Sequence, residues 1–134
     1  MRRLNILTVT RLDIDKYLGE VKDAIRSGRY IIARNSRRQD NLDLFINYEL
    51  DEAEVKRILL SLEVDDFSEV KPNIHPGKEH ELLYIFGKDV RLKERFGDAT
   101  KKVSLYIKFN KLENKYVIVV SFHEQRYPLS YYFK

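Results

Sequence analysis

The sequence predicts an α+β fold in which two N-terminal helices pack on a small, mainly antiparallel sheet. Helical apolar patterns lie in the first half of the chain, and strand-like runs dominate the second half. At 134 residues, the chain is long enough to bury a core of its own, so we expect a single domain over residues 1–134.

Both predicted helices are marked by apolar side chains at helical spacing. The first covers residues 13–27, and Gly28 follows as a stop signal. The second begins after Asp51, which forms an N-terminal capping pattern with Glu54. The apolar stripes are Ile14, Leu18, Val21 and Ile25 in the first helix and Val55, Ile58, Leu59 and Leu62 in the second.

Shorter patterns predict the remaining elements. Strands are expected at residues 29–35, 42–48 and 82–86, with an edge strand at 127–133. Polar or Pro-rich composition predicts a loop at 35–41, an irregular segment around Pro72, Pro76 and Gly77, and a charged extension at 88–97.

The last third of the chain predicts a hairpin of two strands, Val103–Phe109 and Tyr116–His123, with its turn centred on Leu112 and Glu113. This register places Tyr106 opposite Val119, Ser104 opposite Ser121, and Lys102 opposite His123. One face is then apolar, with Leu105, Ile107, Phe109, Ile118, Val120 and Phe122. The other face carries Lys102, Ser104, Tyr106, Lys108, Ser121 and His123, a set that a hydrophobic core does not require.

The composition is that of a water-soluble globular chain, with 43% hydrophobic and 34% charged residues. The absence of cysteine excludes disulfides, thiolate zinc sites and cysteine nucleophiles. No apolar run approaches the ~20 residues of a membrane helix. Because the Met-Arg-Arg start lacks the apolar core of a signal peptide, we expect a cytoplasmic protein with no membrane partner.

The charge balance permits a polyanionic partner. The formal net charge is +4 and the isoelectric point is about 9.2. Basic residues cluster at 34–38, 88–95 and 101–102. Such runs attract nucleic acids, although short basic runs also occur as solvated surface.

Several segments resemble the MqsR family, the motility quorum-sensing regulator toxins of bacterial type II toxin–antitoxin modules. The similar segments are residues 18–22 with 28–30, 62–67, 105–108 and 119–124. The resemblance implies a RelE/YoeB-like fold and cleavage of messenger RNA without the ribosome. It also implies a cognate antitoxin that masks the site and carries a DNA-binding domain.

The resemblance also implies site residues. The family's site tyrosine falls on Tyr106, and its C-terminal lysine falls on His123. The family's glutamine matches Lys88 if an insertion precedes Tyr106. Its earlier lysine falls on Glu69, which makes Lys71 the nearest base.

Cleavage of RNA without a metal requires a base for the ribose 2′-hydroxyl, a cation for the phosphate, an acid for the leaving oxygen and a wall for the nucleobase. His123 is the candidate acid or base, since histidine changes charge near neutral pH. Tyr106 is expected to orient the phosphate or to stack on a base. The candidate catalytic residues are therefore His123, Tyr106, Lys88 and Lys71.

Further basic residues are expected to bind the RNA backbone. Those candidates are Lys108, Lys102, Arg34, Arg37, Arg38 and His80. His75 and His80 are also considered as a second proton-transfer group. With Glu79 and Glu81 they could suggest a metal site, but no third strong ligand occurs at a useful spacing, so we predict no metal and no cofactor.

The leading hypothesis is a toxin that is a metal-independent endoribonuclease. One alternative is a catalytically silent module that binds nucleic acid or protein on the same fold, because Glu69 and Lys88 replace family residues. A second alternative is an endonuclease that requires the ribosome. The basic loop at residues 34–38 is expected to matter for binding in all three.

Overall fold

The computed structural model describes residues 8–34 and 38–134 and confirms an α+β fold. Three α-helices lie in these residues: α1 (Arg11–Arg26), α2 (Gln39–Asn47) and α3 (Glu52–Leu60). A 3₁₀ turn, Val64–Asp66, follows α3. The strands are β1 (Tyr30–Ile32), β2 (Phe67–Pro72), β3 (Leu82–Lys93), β4 (Thr100–Lys111) and β5 (Val117–Glu124). They form one sheet in the order β1-β5-β4-β3-β2, in which only the β1–β5 pair is parallel.

The two predicted helices are confirmed as α1 and α3. Thr10 caps α1 by accepting from the backbone N–H of Asp13 at 3.0 Å, and the Asp13 carboxylate accepts from the Thr10 N–H in return. Asp51 caps α3 by accepting from the N–H of Glu54 at 2.8 Å. Gly28 has a φ of 76°, so this turn after α1 uses the conformation that glycine tolerates best.

The predicted strand at 42–48 is wrong, because this segment belongs to α2. Asn41, Leu44 and Tyr48 are buried at intervals of three and four residues, which is the spacing of one helix face. The polar amide of Asn41 hides this pattern in the sequence. Residues 35–37, which include Arg37, lie outside the described residues.

The strand assignments also need correction at three places. No strand was predicted at β2, whose alternation is interrupted by a bulge between Phe67 and Glu69. The predicted strand at 82–86 is the first part of β3, which continues through the charged residues to Lys93. The segment 127–133 is not a strand.

The hairpin is confirmed, but its predicted register is wrong. Tyr106 pairs with His123, Lys108 with Ser121, and Phe109 with Val119. The turn runs from Leu112 to Lys115, which has a φ of 67°, and this places the turn further along the chain than predicted. Val120 is an extra residue in β5 opposite the step from Lys108 to Phe109, and it shifts the register once more.

The hydrophobic core lies between the three helices and one face of the sheet. Its largest fully buried members are Phe67, Phe86, Phe109, Phe122, Ile14, Ile25, Ile58, Leu59, Leu62, Leu105 and Ile107. Ile85 is also fully buried but lies on the other face of the sheet. In β5, Val117 and Val119 replace the predicted Ile118 and Val120 on the core face. Placing the helices on one face leaves the other free to carry polar groups.

The C-terminal segment crosses the sheet face opposite the helices. The N–H of Gln125 donates to the Ser104 carbonyl at 2.8 Å, and the Ser68 hydroxyl donates to the Ser130 carbonyl at 2.6 Å. The segment passes over Gly87, where an added Cβ would overlap the side-chain ends of Tyr131, Leu129 and Gln125. A side chain at this position would therefore have to displace those groups where the segment crosses β3.

Gly87→Ala should destabilise the protein by about 1–3 kcal/mol, because the added methyl group displaces the packed C-terminal segment. Gly19→Ala is the matched control. Gly19 lies in α1 with no atom within 4 Å of an added Cβ, so alanine should stabilise the helix by about 0.5–1 kcal/mol. Urea unfolding measures both changes. Equal midpoints for Gly87→Ala and the wild type would contradict the close packing.

Candidate functional site

The sheet face turned away from the helices, which we name the open face, carries the candidate site. Its central residues are Glu69, Lys71, Ile85, Gly87, Tyr106, Lys108, Ser121 and His123. The bulge at Val120 determines which side chains of β5 lie on the open face. Before the bulge, Val119 faces the core, and after it Phe122 does so, which places Ser121 and His123 on the open face.

Asn41 fixes this bulge from helix α2. Its amide donates to the carbonyls of Ala33 at 2.8 Å and Val120 at 3.1 Å. Its side-chain oxygen accepts from the N–H of Phe122 at 2.9 Å. Asn41 is only 1% exposed, so losing these bonds would leave buried backbone groups without partners.

Tyr106 and His123 form a stacked pair at the centre of the open face. Their ring centroids lie 5.1 Å apart with the planes inclined by 9°. The His123 Nδ1 lies 2.8 Å from the Glu124 carbonyl oxygen. Because a carbonyl can only accept, Nδ1 donates this bond, which leaves Nε2 to take up or release a proton.

Lys108 lies beside this pair in an unfavourable electrostatic environment. Its ammonium lies 6.0 Å from the centre of the Tyr106 ring. Burial lowers the pKa of Lys108, and the positive charges of Arg38 and Lys71 lower it further. Three cations therefore surround one region of the open face, and an anion bound there would relieve their repulsion.

The Tyr106 hydroxyl remains protonated at neutral pH. Burial raises the pKa of Tyr106, and the negative charge of Glu69 adds to this rise. The Lys71 ammonium lies 3.7 Å from the Glu69 carboxylate, and both side chains are about half exposed. Tyr106 can thus donate a hydrogen bond to a ligand, while Lys71 retains a weak, solvent-screened partner.

The structure does not bring Lys88 to the site. Its side chain lies on the helix side of β3, 3.1 Å from the Asp66 carboxylate and 3.2 Å from the Ser61 carbonyl. The sequence pattern did not assign Lys88 to a face of the sheet, because the predicted strand ended at residue 86, whereas β3 runs to Lys93. We therefore do not retain Lys88 as a catalytic candidate.

The other predicted binding residues that the structure describes lie at separate places on the surface. Lys102 is on the open face, but it lies four residues before Tyr106, which is the true partner of His123. Its ammonium lies 3.4 Å from the Asp89 carboxylate. The Arg34 guanidinium lies 4.2 Å from the centre of the Phe45 ring. His80 borders a cavity beside Tyr17 and Tyr84 on the helix side. Arg38, by contrast, lies close enough to act on Lys108.

Two residues near the site were missed by the sequence reasoning. Asn41 was assigned to a polar loop, and only its interval of three residues from Leu44 hinted at a buried helix face. Arg126 pairs with Asp40 at 2.5 Å and, with His123, borders a small cleft. Nothing in the sequence links Arg126 to Asp40, because 86 positions separate them.

Comparison with known proteins gives no match: no protein-family model, no curated protein and no solved structure matches this chain. The resemblance to the MqsR family therefore stays a hypothesis. Within residues 8–34 and 38–134, no helix has the length and apolar character to cross a membrane. In the same residues, no group of three or more His, Asp or Glu side chains could bind a metal ion.

Lys108→Met should raise the free energy of unfolding at neutral pH by about 1 kcal/mol, because it removes a half-buried charge that is repelled by its neighbours. The unfolded chain has the ordinary lysine pKa and the folded chain a lower one. Wild-type stability must then rise with pH between the two values, so the advantage of the variant should shrink in that range.

Urea unfolding at neutral and alkaline pH measures this effect, and Lys102→Met is the control. Lys102 is exposed and lies 3.4 Å from an Asp89 carboxylate, so its replacement should not stabilise the protein. A loss of stability in Lys108→Met at neutral pH would contradict the repulsion between these cations.

Proposed function

We propose that this protein is an endoribonuclease that cleaves RNA on the open face of its sheet without a metal ion. The observation that carries the proposal is the environment of Lys108, which is half-buried next to Arg38 and Lys71 and beside the stacked Tyr106–His123 pair. A phosphodiester would supply negative charge to Lys108 and Arg38, which have no carboxylate partner among the described residues, and to Lys71, whose partner Glu69 is screened by solvent.

The substrate would lie across β4 and β5 with one phosphate near Lys108. Arg38 and Lys71 would neutralise the phosphate oxygens. The Tyr106 hydroxyl would donate a further bond to the phosphate. The C-terminal segment crosses the open face at Gly87, the residue that pairs with Tyr106, and forms a wall beside the site.

His123 is the proposed general base. Its Nε2 accepts the proton of the ribose 2′-hydroxyl, and the 2′-oxygen then attacks the adjacent phosphorus. The bond from phosphorus to the 5′-oxygen breaks, which gives a 2′,3′-cyclic phosphate and a free 5′-hydroxyl. The departing 5′-oxygen takes a proton from the Lys108 ammonium, which is the proposed general acid.

The wider biological role is a second step of the proposal. We propose that the protein is a type II toxin that cleaves messenger RNA in the cytoplasm and is masked by an antitoxin with a DNA-binding domain. Only the resemblance to the MqsR family supports this role. The proposed cleavage on the open face does not depend on that resemblance. The proposed enzyme uses no cofactor.

Cleavage of a long purified RNA in EDTA tests the proposal. The wild type should give discrete products that end in a 2′,3′-cyclic phosphate. His123→Ala should slow cleavage about 10²–10⁴-fold, because it removes the base. Tyr106→Phe keeps the ring and removes the hydroxyl, so a loss of roughly tenfold is expected. Urea unfolding should confirm that both variants are folded.

His75→Ala is the matched histidine control, because His75 is exposed in the loop before β3, and it should cleave as the wild type does. An inactive wild type would contradict cleavage of free RNA. Activity restored by translating ribosomes would then favour a ribosome-dependent enzyme, whereas RNA binding without cleavage would favour a silent binding module.

A further inference from the structure

A small cleft adjoins the open face between the N-terminus of α2 and strand β5. Its volume is about 170 Å³, and a water molecule takes up roughly 30 Å³ of liquid. The residues that border it are Arg38, Gln39, Asp40, Asn41, Ser121, His123 and Arg126. The cleft therefore has room for a group of the size of a phosphate.

The chemistry of the cleft favours an anion. The first N–H groups of a helix have no partners within the helix, and Arg38, at the N-cap of α2, makes no side-chain capping bond. Arg38 and Arg126 both border the same space. Asp40 is the one carboxylate among the bordering residues. Arg126 neutralises it with two bonds to one oxygen, at 2.9 Å and 2.5 Å.

Ser121 gives a second, independent indication of a ligand. The residue is 97% buried, since only 3% of its surface is exposed, and it borders the cleft. Among the described residues its hydroxyl has no hydrogen-bond partner. The hydroxyl of a nearly buried residue that borders a basic cleft is suited to donate to a phosphate oxygen.

We propose that this cleft binds a second phosphate of the RNA backbone, adjacent to the phosphate that is cleaved. Ser121 pairs with Lys108 across the sheet, and His123 borders the cleft while stacking on Tyr106. Side chains of directly paired residues lie about 4.5–5.5 Å apart at Cβ. The two phosphate positions are therefore neighbours on the sheet, with the Tyr106–His123 pair beside them, and this inference rests on the proposed function.

Titration of the ¹⁵N-labelled protein with inorganic phosphate tests the cleft without any cleavage. Backbone signals of residues 39–41 and Ser121 should shift and saturate, while the signals of Tyr106 and Lys108 report separately on the open face. Ser121→Ala should weaken phosphate binding in the cleft about tenfold. Ser104→Ala is the control, because this hydroxyl donates to Asp89 at 2.7 Å outside the cleft, and it should bind as the wild type does.

Substrates with one uncharged methylphosphonate linkage identify the source of the phosphate. Placing that linkage next to the cleaved one should raise KM about tenfold with little change in kcat. In Ser121→Ala the same linkage should have a much smaller effect, since the contact is already lost. A linkage several nucleotides away should have no effect.

The outcomes separate the two proposals. Phosphate shifts in the cleft without any cleavage of RNA would support the cleft and overturn the proposed nuclease. Cleavage that is indifferent to both neighbouring linkages would overturn the second backbone phosphate, and so would a requirement for a terminal phosphate. An absence of phosphate shifts at residues 39–41 and Ser121 would overturn the cleft itself.

Discussion

The three hydrogen bonds of Asn41 fix the point at which β5 changes face, and the candidate site depends on that point. Without the extra residue at Val120, the strict alternation of a strand that buries Val117 and Val119 would place Ser121 in the core and Phe122 in solvent. The bulge lets Phe122 pack against Phe45 while His123 reaches Tyr106. The buried amide of Asn41 thus decides which side chains of β5 enter the hydrophobic core and which lie on the polar face.

The charged groups that form the candidate binding surface on the open face lower the stability of the free protein. Its floor is apolar, with Ile85 fully buried between the paired residues Glu69 and Lys108. A lysine placed on such a floor loses hydration, and the nearby Arg38 and Lys71 increase the cost of its charge. Sites that bind charged ligands commonly carry strain of this kind, because the ligand later compensates for it. The adjoining cleft with Ser121 extends the same basic surface along β5.

Local sequence patterns predicted the elements that have clear capping residues or regular apolar spacing. The capped, amphipathic helices α1 and α3 and the apolar face of β4 follow from spacing and capping residues. Helix α2 and strand β2 did not, since a buried Asn41 and the bulge after Phe67 break their patterns. Tyr106, Lys108 and His123 were placed on one face from alternation alone. Their true partners depend on the turn at Lys115 and on Val120, which tertiary contacts decide.

The most direct test of the account is the pKa of Lys108, measured by NMR on protein with ¹³C-labelled lysine, with and without an RNA analogue that lacks the reactive 2′-hydroxyl. The account predicts that the pKa is below the ordinary lysine value in the free protein and rises when the analogue binds, because a phosphate then faces the ammonium. The exposed Lys102 serves as the internal reference. An ordinary pKa for Lys108 that does not move when the analogue binds would contradict the central claim that crowded cations on the open face bind RNA.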